Sequence, residues 1–323
     1  MQLPLVSVLI PSYNAAAYIA QTLESVLQQS WPNIEVIVVD DGSADDTVAI
    51  ANRYSAANCR VIQQINVGAC AARNRAFALS KGDYIQYLDA DDVLHPDKIA
   101  LQMEALGNLK DSRAMASGMW AHFARQIDEA VFPQQAVYKN YDMPVQLLAD
   151  MWCRREMMQT SVWLTPRILI EQSSGWDERL SINQDGEFFC RMLLSASRVV
   201  FAPAKTYYRT GIANSVSRAG ADIKKAESLL LSYKLYSRYT ATWMHIEPLK
   251  KGLAHSLYQY IYTYYSVFPA LTREAVQDVQ QLNVPQSICP VGGRGFRLLC
   301  RIAGFYNALR LRQMFSGASN RVQ

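Results

Sequence analysis

Within its first hundred residues the chain changes hydrophobic period again and again, and this alternation constrains its fold more than any other feature. The apolar run LVSVLIP, residues 5–11, is predicted as a buried strand. The segment Ala15 to Gln29 follows, with Tyr18, Leu23, Val26 and Leu27 near helical spacing. WPN then makes a turn, IEVIVVD a second strand, and a second helix opens after Ser43 with Asp45 and Asp46 in its first turn. CRVIQQI is a third strand, Ala69 to Ser80 a third helix, Lys81-Gly82-Asp83 a turn, and YIQYLD a fourth strand. Strands separated by helices of this length require right-handed crossovers, so the expected fold class is α/β with a mainly parallel sheet covered on both faces.

In such sheets ligands bind beyond the carboxyl ends of the strands. Four polar clusters fall at those ends: Pro11-Ser12-Tyr13-Asn14, Asp40-Asp41-Gly42-Ser43, Asn66-Val67-Gly68, and the acidic loop Asp89 to Asp92. The last packs Asp89, Asp91 and Asp92 into four residues. Like charges this close repel, and their burial without partners would cost several kcal/mol, roughly. Either the loop is a solvated turn, or it holds a hard divalent cation, Mn²⁺ or Mg²⁺, that also binds phosphate.

Beyond Pro96 the alternation loosens. Ala114 to Phe123, Thr160 to Thr165, Arg198 to Phe201 and Thr206 to Arg209 are predicted as strands; Pro144 to Trp152 and Gln184 to Leu194 are predicted as helices. From about Asp222 the pattern is helical, broken near Pro269 and between Pro285 and Gly295. Residues 1–215 hold 18 basic and 23 acidic side chains, residues 216–323 hold 14 and 5, and this reversal suggests two regions that face different partners. Half of all residues are hydrophobic, which excludes wholesale disorder, and no run of about twenty apolar residues is present. The opening segment lacks a basic flank and a small-residue cleavage site, so it is expected to be a strand and not a signal peptide. Six scattered cysteines without C-x-x-C spacing argue against a zinc site and suggest reduced, mostly buried thiols in a cytoplasmic protein.

VSVLIPSYN, EVIVVDDGSADDT and NVGACAARNRAFALSKGDYIQYLDADD, taken together in order and spacing, resemble the nucleotide-binding half of the family 2 glycosyltransferases, which have a GT-A fold. The resemblance is strong over residues 5–110, moderate through GWDERLSINQDGEFFCRML, and faint beyond Ser215. It implies a GT-A-like catalytic domain over 1–215, with a nucleotide-binding half at 1–105 and an acceptor half at 106–215, followed by a basic helical region at 216–323. It further implies an inverting, metal-dependent transfer from a nucleoside-diphosphate sugar, a uridine one, to a glycan or lipid-linked hydroxyl in polysaccharide biosynthesis. Pro11 and Tyr13 match positions that border the base, and Tyr13 can equally be an aromatic cap on the sheet edge. Asp41 matches the carboxylate that accepts from the base, Asp40 can instead hold the loop, and Arg73 matches a basic residue beside the nucleotide. Asp89 would lie near the ribose, Asp91 would bind the metal, and Asp92 would cap the loop.

The family also places a catalytic base at the start of the helix in GWDERLSINQDGEFFCRM. Asp185 matches it; Glu187, about 200° further round a helix, is the competitor, and both can simply cap the helix. Trp176 can stack on a sugar or anchor the loop beside Asp177. Arg209 and Ser215 stand where many relatives contribute a diphosphate-contacting loop, often with histidine, and the absence of histidine here leaves that assignment open. A nucleotidyltransferase would need a glycine-rich basic loop after the first strand, which PSYNAAAY lacks; a dinucleotide dehydrogenase would need G-x-G-x-x-G there. A sugar-nucleotide-binding protein without turnover would not need Asp185.

From Val291 onward there are six arginines and no acidic residue. As one helix, RGFRLLCRIAGFYNALRLRQMF puts Arg294, Arg297, Arg301 and Arg312 beside a stripe of Leu298, Ile302, Phe305 and Leu309, and Arg310 breaks the segregation. That pattern fits either peripheral contact with an anionic membrane surface or packing on the protein itself. With an acidic first region and no recognisable nucleic-acid module, nucleic acid is not an expected partner.

Overall fold

The computed structural model describes residues 3–56, 58–107, 109, 111–212, 222–285 and 291–319; Ser215 and one of the six cysteines, Cys289, lie outside them. Two compact units are resolved, one formed by residues 1–147, 157–179 and 184–215, the other by 148–156, 180–183 and 216–323.

The first unit is built on a five-stranded sheet. Its strands are β1 (Val6–Ser12), β2 (Ile34–Asp40), β3 (Cys59–Gln63), β4 (Tyr84–Tyr87) and β7 (Thr165–Pro166), ordered β3-β2-β1-β4-β7. The first four are mutually parallel and only β7 runs antiparallel. Between them in sequence lie α1 (Ile19–Leu27), α2 (Thr47–Asn52) and α3 (Ala69–Leu79), followed after β4 by β5 (Val93–Leu94) and α4 (Lys98–Gly107). Val6, Val8 and Ile10 of β1 and Val36 and Val38 of β2 pack in one core with Ile19, Leu23 and Val26 of α1 and Ile99 and Met103 of α4. Each such fully buried aliphatic contributes about 1.5–3 kcal/mol. The alternate residues, Leu9, Ile37 and Val39, are equally buried, because α3 covers the opposite face. The expected mainly parallel sheet with both faces covered is therefore present.

A second sheet, ordered β5-β8-β6, pairs β6 (Met115–Phe123) in parallel with β8 (Val199–Arg209). Two short strands were expected at 198–201 and 206–209. They are one strand, because the register shift between Ser117 and Met119 absorbs Ala202 to Ala204 around Pro203, whose missing N–H cannot join the ladder. The expected strand at 160–165 is instead a 3₁₀ turn, Thr160–Val162, followed by the two residues of β7. The Gln159 side-chain Oε1, which accepts from the Ser161 N–H at 2.7 Å, tightens that turn. Helices α5 (Pro144–Arg154), α6 (Arg167–Glu171) and α7 (Gln184–Ser195) complete this stretch of chain.

Two helix starts also differ from expectation. The Ala15 and Ala16 N–H groups donate to Thr47 Oγ1 at 2.7 Å and Asp45 Oδ2 at 3.1 Å, so α1 begins only at Ile19. Asp45 is thereby spent bridging two loops, and α2 begins at Thr47 without acid in its first turn.

The second unit contains α8 (Ile223–Tyr239), α9 (Glu247–Tyr264), α10 (Pro269–Gln281), α11 (Arg294–Ala303) and α12 (Phe305–Ser319). The single tail helix expected from the wheel is broken at Gly304, whose φ of 77° ends α11 in a conformation disfavoured for other residues. The break splits the apolar stripe. Phe305 and Leu309 are buried, with the Phe305 ring 4.9 Å from Tyr258, whereas Leu298 and Ile302 are 58% and 77% exposed. Among the described residues no helix is long and apolar enough to cross a membrane, and Cys153 departs from the expected pattern of buried thiols by being exposed.

Candidate active site

The parallel strands bring the polar clusters to one sheet edge, where hydrogen bonds knit them together. Asn14, at φ 48°, donates its N–H to Ser43 Oγ at 2.9 Å, and its Oδ1 accepts from the Ala44 N–H at 2.9 Å. Asp40 is buried and accepts from Ser12 Oγ at 3.2 Å and from the Ser43 N–H at 2.9 Å, so it holds the loop. Asp41 Oδ1 accepts from Gln64 Nε2 at 2.7 Å and the Val67 N–H at 3.0 Å, and its Oδ2 accepts from the Gly68 N–H at 2.8 Å. Gly68 caps α3 at φ 102°, which a side chain would resist. Pro11 is buried within β1, and the Tyr13 ring just beyond it is 54% exposed at the rim.

The acidic loop follows β4 as a turn in which the Asp92 N–H donates to the Asp89 carbonyl at 3.1 Å. The Thr22 hydroxyl of α1 lies 2.9 and 2.8 Å from the Ala90 and Asp92 carbonyls. Asp92 is wholly buried. Gln159 Nε2 donates to its Oδ2, and the Arg209 N–H donates to its Oδ1 at 2.9 Å. Burial, then the charges of Asp91 and Asp89, push its carboxyl well above the usual carboxylate range. Burial and the neighbouring Asp89 likewise push Asp91 up to about 6. Two carboxylates held against their own repulsion at a ligand-binding edge fit a hard dication, which would relieve both effects. Among the described residues no three His, Cys, Asp or Glu side chains could enclose an ion by themselves. An ion here would be held by Asp91 and Asp89 and would need further oxygen ligands, such as those of a phosphate.

Arg73, on α3, is 7% exposed. Its Nη2 donates to Asp89 Oδ1 at 2.8 Å, its Nη1 donates to Gln184 Oε1 at 2.9 Å, and its guanidinium lies 4.4 Å over the Trp176 ring. Burial works against its charge, and the charge and hydrogen bond of Asp89, with smaller contributions from Cys70 and Asp185, together leave its pKa raised. Arg75, by contrast, is exposed and bonds the Gln63 carbonyl at 3.1 Å.

Asp185 lies in the first turn of α7, directly after Gln184. Burial raises its pKa, while the Gly186 N–H and the Arg73 charge pull it back. Its competitor is otherwise engaged: Glu187 is fully buried and accepts from Arg191 Nε and Nη2 at 2.7 and 2.8 Å. Trp176, at 2% exposure, is stacked 4.2 Å from Phe188 at 3° and meets Tyr87 edge-on at 5.1 Å, so it anchors the loop and presents no face to a sugar. Asp177 is tied to Arg179 at 2.6 Å, which lowers its pKa. Arg209 donates from Nε to the Asp91 carbonyl at 2.8 Å and from Nη2 to Gln21, between the rings of Tyr18 and Phe123 at 4.9 and 4.3 Å. It clamps the acidic loop from behind. Gln159, Thr22 and Gln184 escaped sequence reasoning because isolated uncharged side chains carry no spacing signal.

A glycosyl transferase family 2 model matches residues 7–159. An uncharacterized glycosyltransferase of Haemophilus influenzae is 39% identical over 124 residues, 38% of this chain and 49% of that one. Chondroitin synthase of Escherichia coli is 44% identical over 105 residues, 32% of this chain and 15% of that one. The chain thus spans half or less of the length of these relatives. Residues 1–349 of S. aureus TarS, solved in complex with UDP-GlcNAc, superpose with a TM-score of 0.69 at 18% identity, covering 97% of this chain and 92% of that one, which shows a shared fold. Over residues 7–159, just under half of its length, the chain is thus similar to glycosyl transferase family 2.

Proposed function

We propose that the chain is an inverting, metal-dependent glycosyltransferase that moves a sugar from a uridine-diphosphate donor to a hydroxyl of a glycan or lipid-linked acceptor. One observation carries this: Arg73 bonds both Asp89, beside the metal-suited Asp91, and Gln184, the residue before Asp185, a desolvated carboxylate at a helix start. A binding protein without turnover has no use for Asp185. The UDP-GlcNAc bound by TarS and the polysaccharide made by chondroitin synthase support the donor class and the acceptor class respectively.

In this mechanism the exposed Tyr13 ring offers a stacking face to the base beside Pro11. Asp41 uses three of roughly four acceptor sites on its loop, which leaves one for the base's ring N–H. Mn²⁺ or Mg²⁺ on Asp91 and Asp89 would supply positive charge for a departing diphosphate. Asp185 takes the proton of the acceptor hydroxyl as its oxygen bonds to the anomeric carbon. The opposite bond, from that carbon to the diphosphate oxygen, breaks with its electron pair leaving on the diphosphate, so the configuration inverts. Calorimetric titration with UDP, GDP and ADP, with and without Mn²⁺, tests the proposal. UDP should bind at least about tenfold more tightly than the other two and lose about tenfold or more without metal, each tenfold being about 1.4 kcal/mol. Equal affinities, or indifference to metal, would overturn it.

The exposed face of α11 adds a location to this proposal. Arg294, Arg297, Leu298, Arg301 and Ile302, spaced by threes and fours, all face solvent. Three cations around two aliphatic side chains suit an anionic membrane surface, where each arginine contributes about 1 kcal/mol. Co-sedimentation with phosphatidylglycerol-rich vesicles is expected for the native chain, with about a hundredfold loss for the R294E/R297E/R301E triple variant and little binding to neutral vesicles. Equal sedimentation of the two proteins would remove the membrane contact while leaving the transferase proposal standing.

A further inference from the structure

We infer that Gln184 is a positioning residue that couples the donor loop to the catalytic base, an inference that rests on the transferase proposal above. The Arg73 guanidinium is a two-ended bridge. Its Nη2 is bound to Asp89, in the loop that would carry the metal and diphosphate, and its Nη1 is bound to Gln184 Oε1, the residue that immediately precedes Asp185. Bridging atoms alone would leave a flexible tie, but Arg73 is not free to swing. It is 7% exposed, lies 4.4 Å over the Trp176 ring, and that ring is itself stacked on Phe188 of α7. Helices α3 and α7 are therefore joined twice, once by the Arg73–Gln184 hydrogen bond and once through Arg73, Trp176 and Phe188, and Asp89 is tied to that joint by its own bond from Arg73.

This arrangement has a mechanistic consequence. An in-line displacement requires the base and the leaving diphosphate on opposite sides of one carbon, and an error of about 1 Å in that relation costs on the order of a hundredfold in rate. Asp89 and Asp185 lie 96 positions apart in sequence, so nothing in local geometry sets their separation. Arg73 and Gln184 set it. Gln184 itself touches neither base nor phosphate in this scheme, so its removal should leave donor binding intact and impair turnover.

The test compares Gln184→Leu, Gln184→Glu and Arg73→Met with the native chain. Two readouts are taken: calorimetric affinity for UDP with Mn²⁺, and the rate of UDP release from whichever of UDP-glucose, UDP-galactose and UDP-GlcNAc the native chain turns over fastest. Gln184→Leu should keep UDP affinity within twofold and lose tenfold or more in kcat. Gln184→Glu keeps an oxygen for Nη1 and should recover kcat to within about threefold of native. Arg73→Met should lose both affinity and kcat. A Gln184→Leu kcat within twofold of native overturns the inference. So does a parallel loss of kcat and affinity, or a failure of Gln184→Glu to recover when its thermal unfolding matches native. If the native chain binds no UDP, the transferase proposal falls first and takes this inference with it; if native UDP binding is metal-dependent and only the Gln184 pattern fails, the bridge alone is wrong.

Discussion

Replacing Asp185 with asparagine is expected to lower kcat for sugar transfer by about 10²–10⁴-fold, the usual contribution of a positioned general base, with UDP affinity in Mn²⁺ changed less than twofold. The separation of the two effects follows from position. Asp185 stands in the first turn of α7, whereas the donor contacts are assigned to loops after β1, β2 and β4. The pH dependence sharpens this expectation. Burial raises the Asp185 pKa above the ordinary carboxylate value, so the base is charged only above that raised pKa. The rate should rise about tenfold per pH unit up to it and level off beyond, and the acid limb should disappear in Asp185→Asn. Stability has the opposite dependence. A carboxyl whose folded pKa is raised binds more protons folded than unfolded, so its ionisation costs stability as pH climbs from 3.8 through the folded pKa, and the whole cost is present above it. Asp185→Asn should therefore be at least as stable as native at neutral pH. Native-like transfer by this variant would sink the assignment of the base.

The parts of this site that could be read from sequence are those that impose a period or a charge pattern. The β1 to β4 strands are short apolar runs between turn residues, and their parallel pairing forces the following loops to one edge, so Asp41, Asp89 and Asp91 announce themselves. What escaped was decided by contacts distant in sequence. The burial of Trp176 depends on Phe188 and Tyr87, whereas the pairing of Glu187 with Arg191 is a one-turn contact within α7 that the spacing itself allowed. The late start of α1 depends on Thr47 and Asp45, which take N–H groups that a helix would otherwise cap. At the tail, a helical wheel drawn through Gly304 merged two helices with different exposures into one stripe, because the wheel assumes a continuous axis where the backbone turns at φ 77°.

Asp91→Asn is expected to move activity and stability in opposite directions, and the two together are more informative than either alone. The Asp91 carboxyl is held at about 6 by burial and by the Asp89 charge. Folding without metal at neutral pH must therefore ionise a group in surroundings that resist it, a cost of about 1–3 kcal/mol from the displacement of its pKa. Asparagine removes the charge at nearly the same volume. Metal-free Asp91→Asn should consequently resist guanidinium better than native above pH 6, and the advantage should shrink as pH falls towards 3.8, where both folded and unfolded native chains protonate the acid. Activity should fall: the Mn²⁺-dependent part of UDP affinity should be lost, and kcat should drop by about 10²–10³-fold as charge stabilisation of the leaving diphosphate is withdrawn. A carboxylate that merely closed a solvated turn would show neither effect, and one that supported the fold would lose stability on replacement. A gain in metal-free stability coupled to a loss of metal-dependent binding is the pattern of a residue whose charge is tolerated only for what it binds.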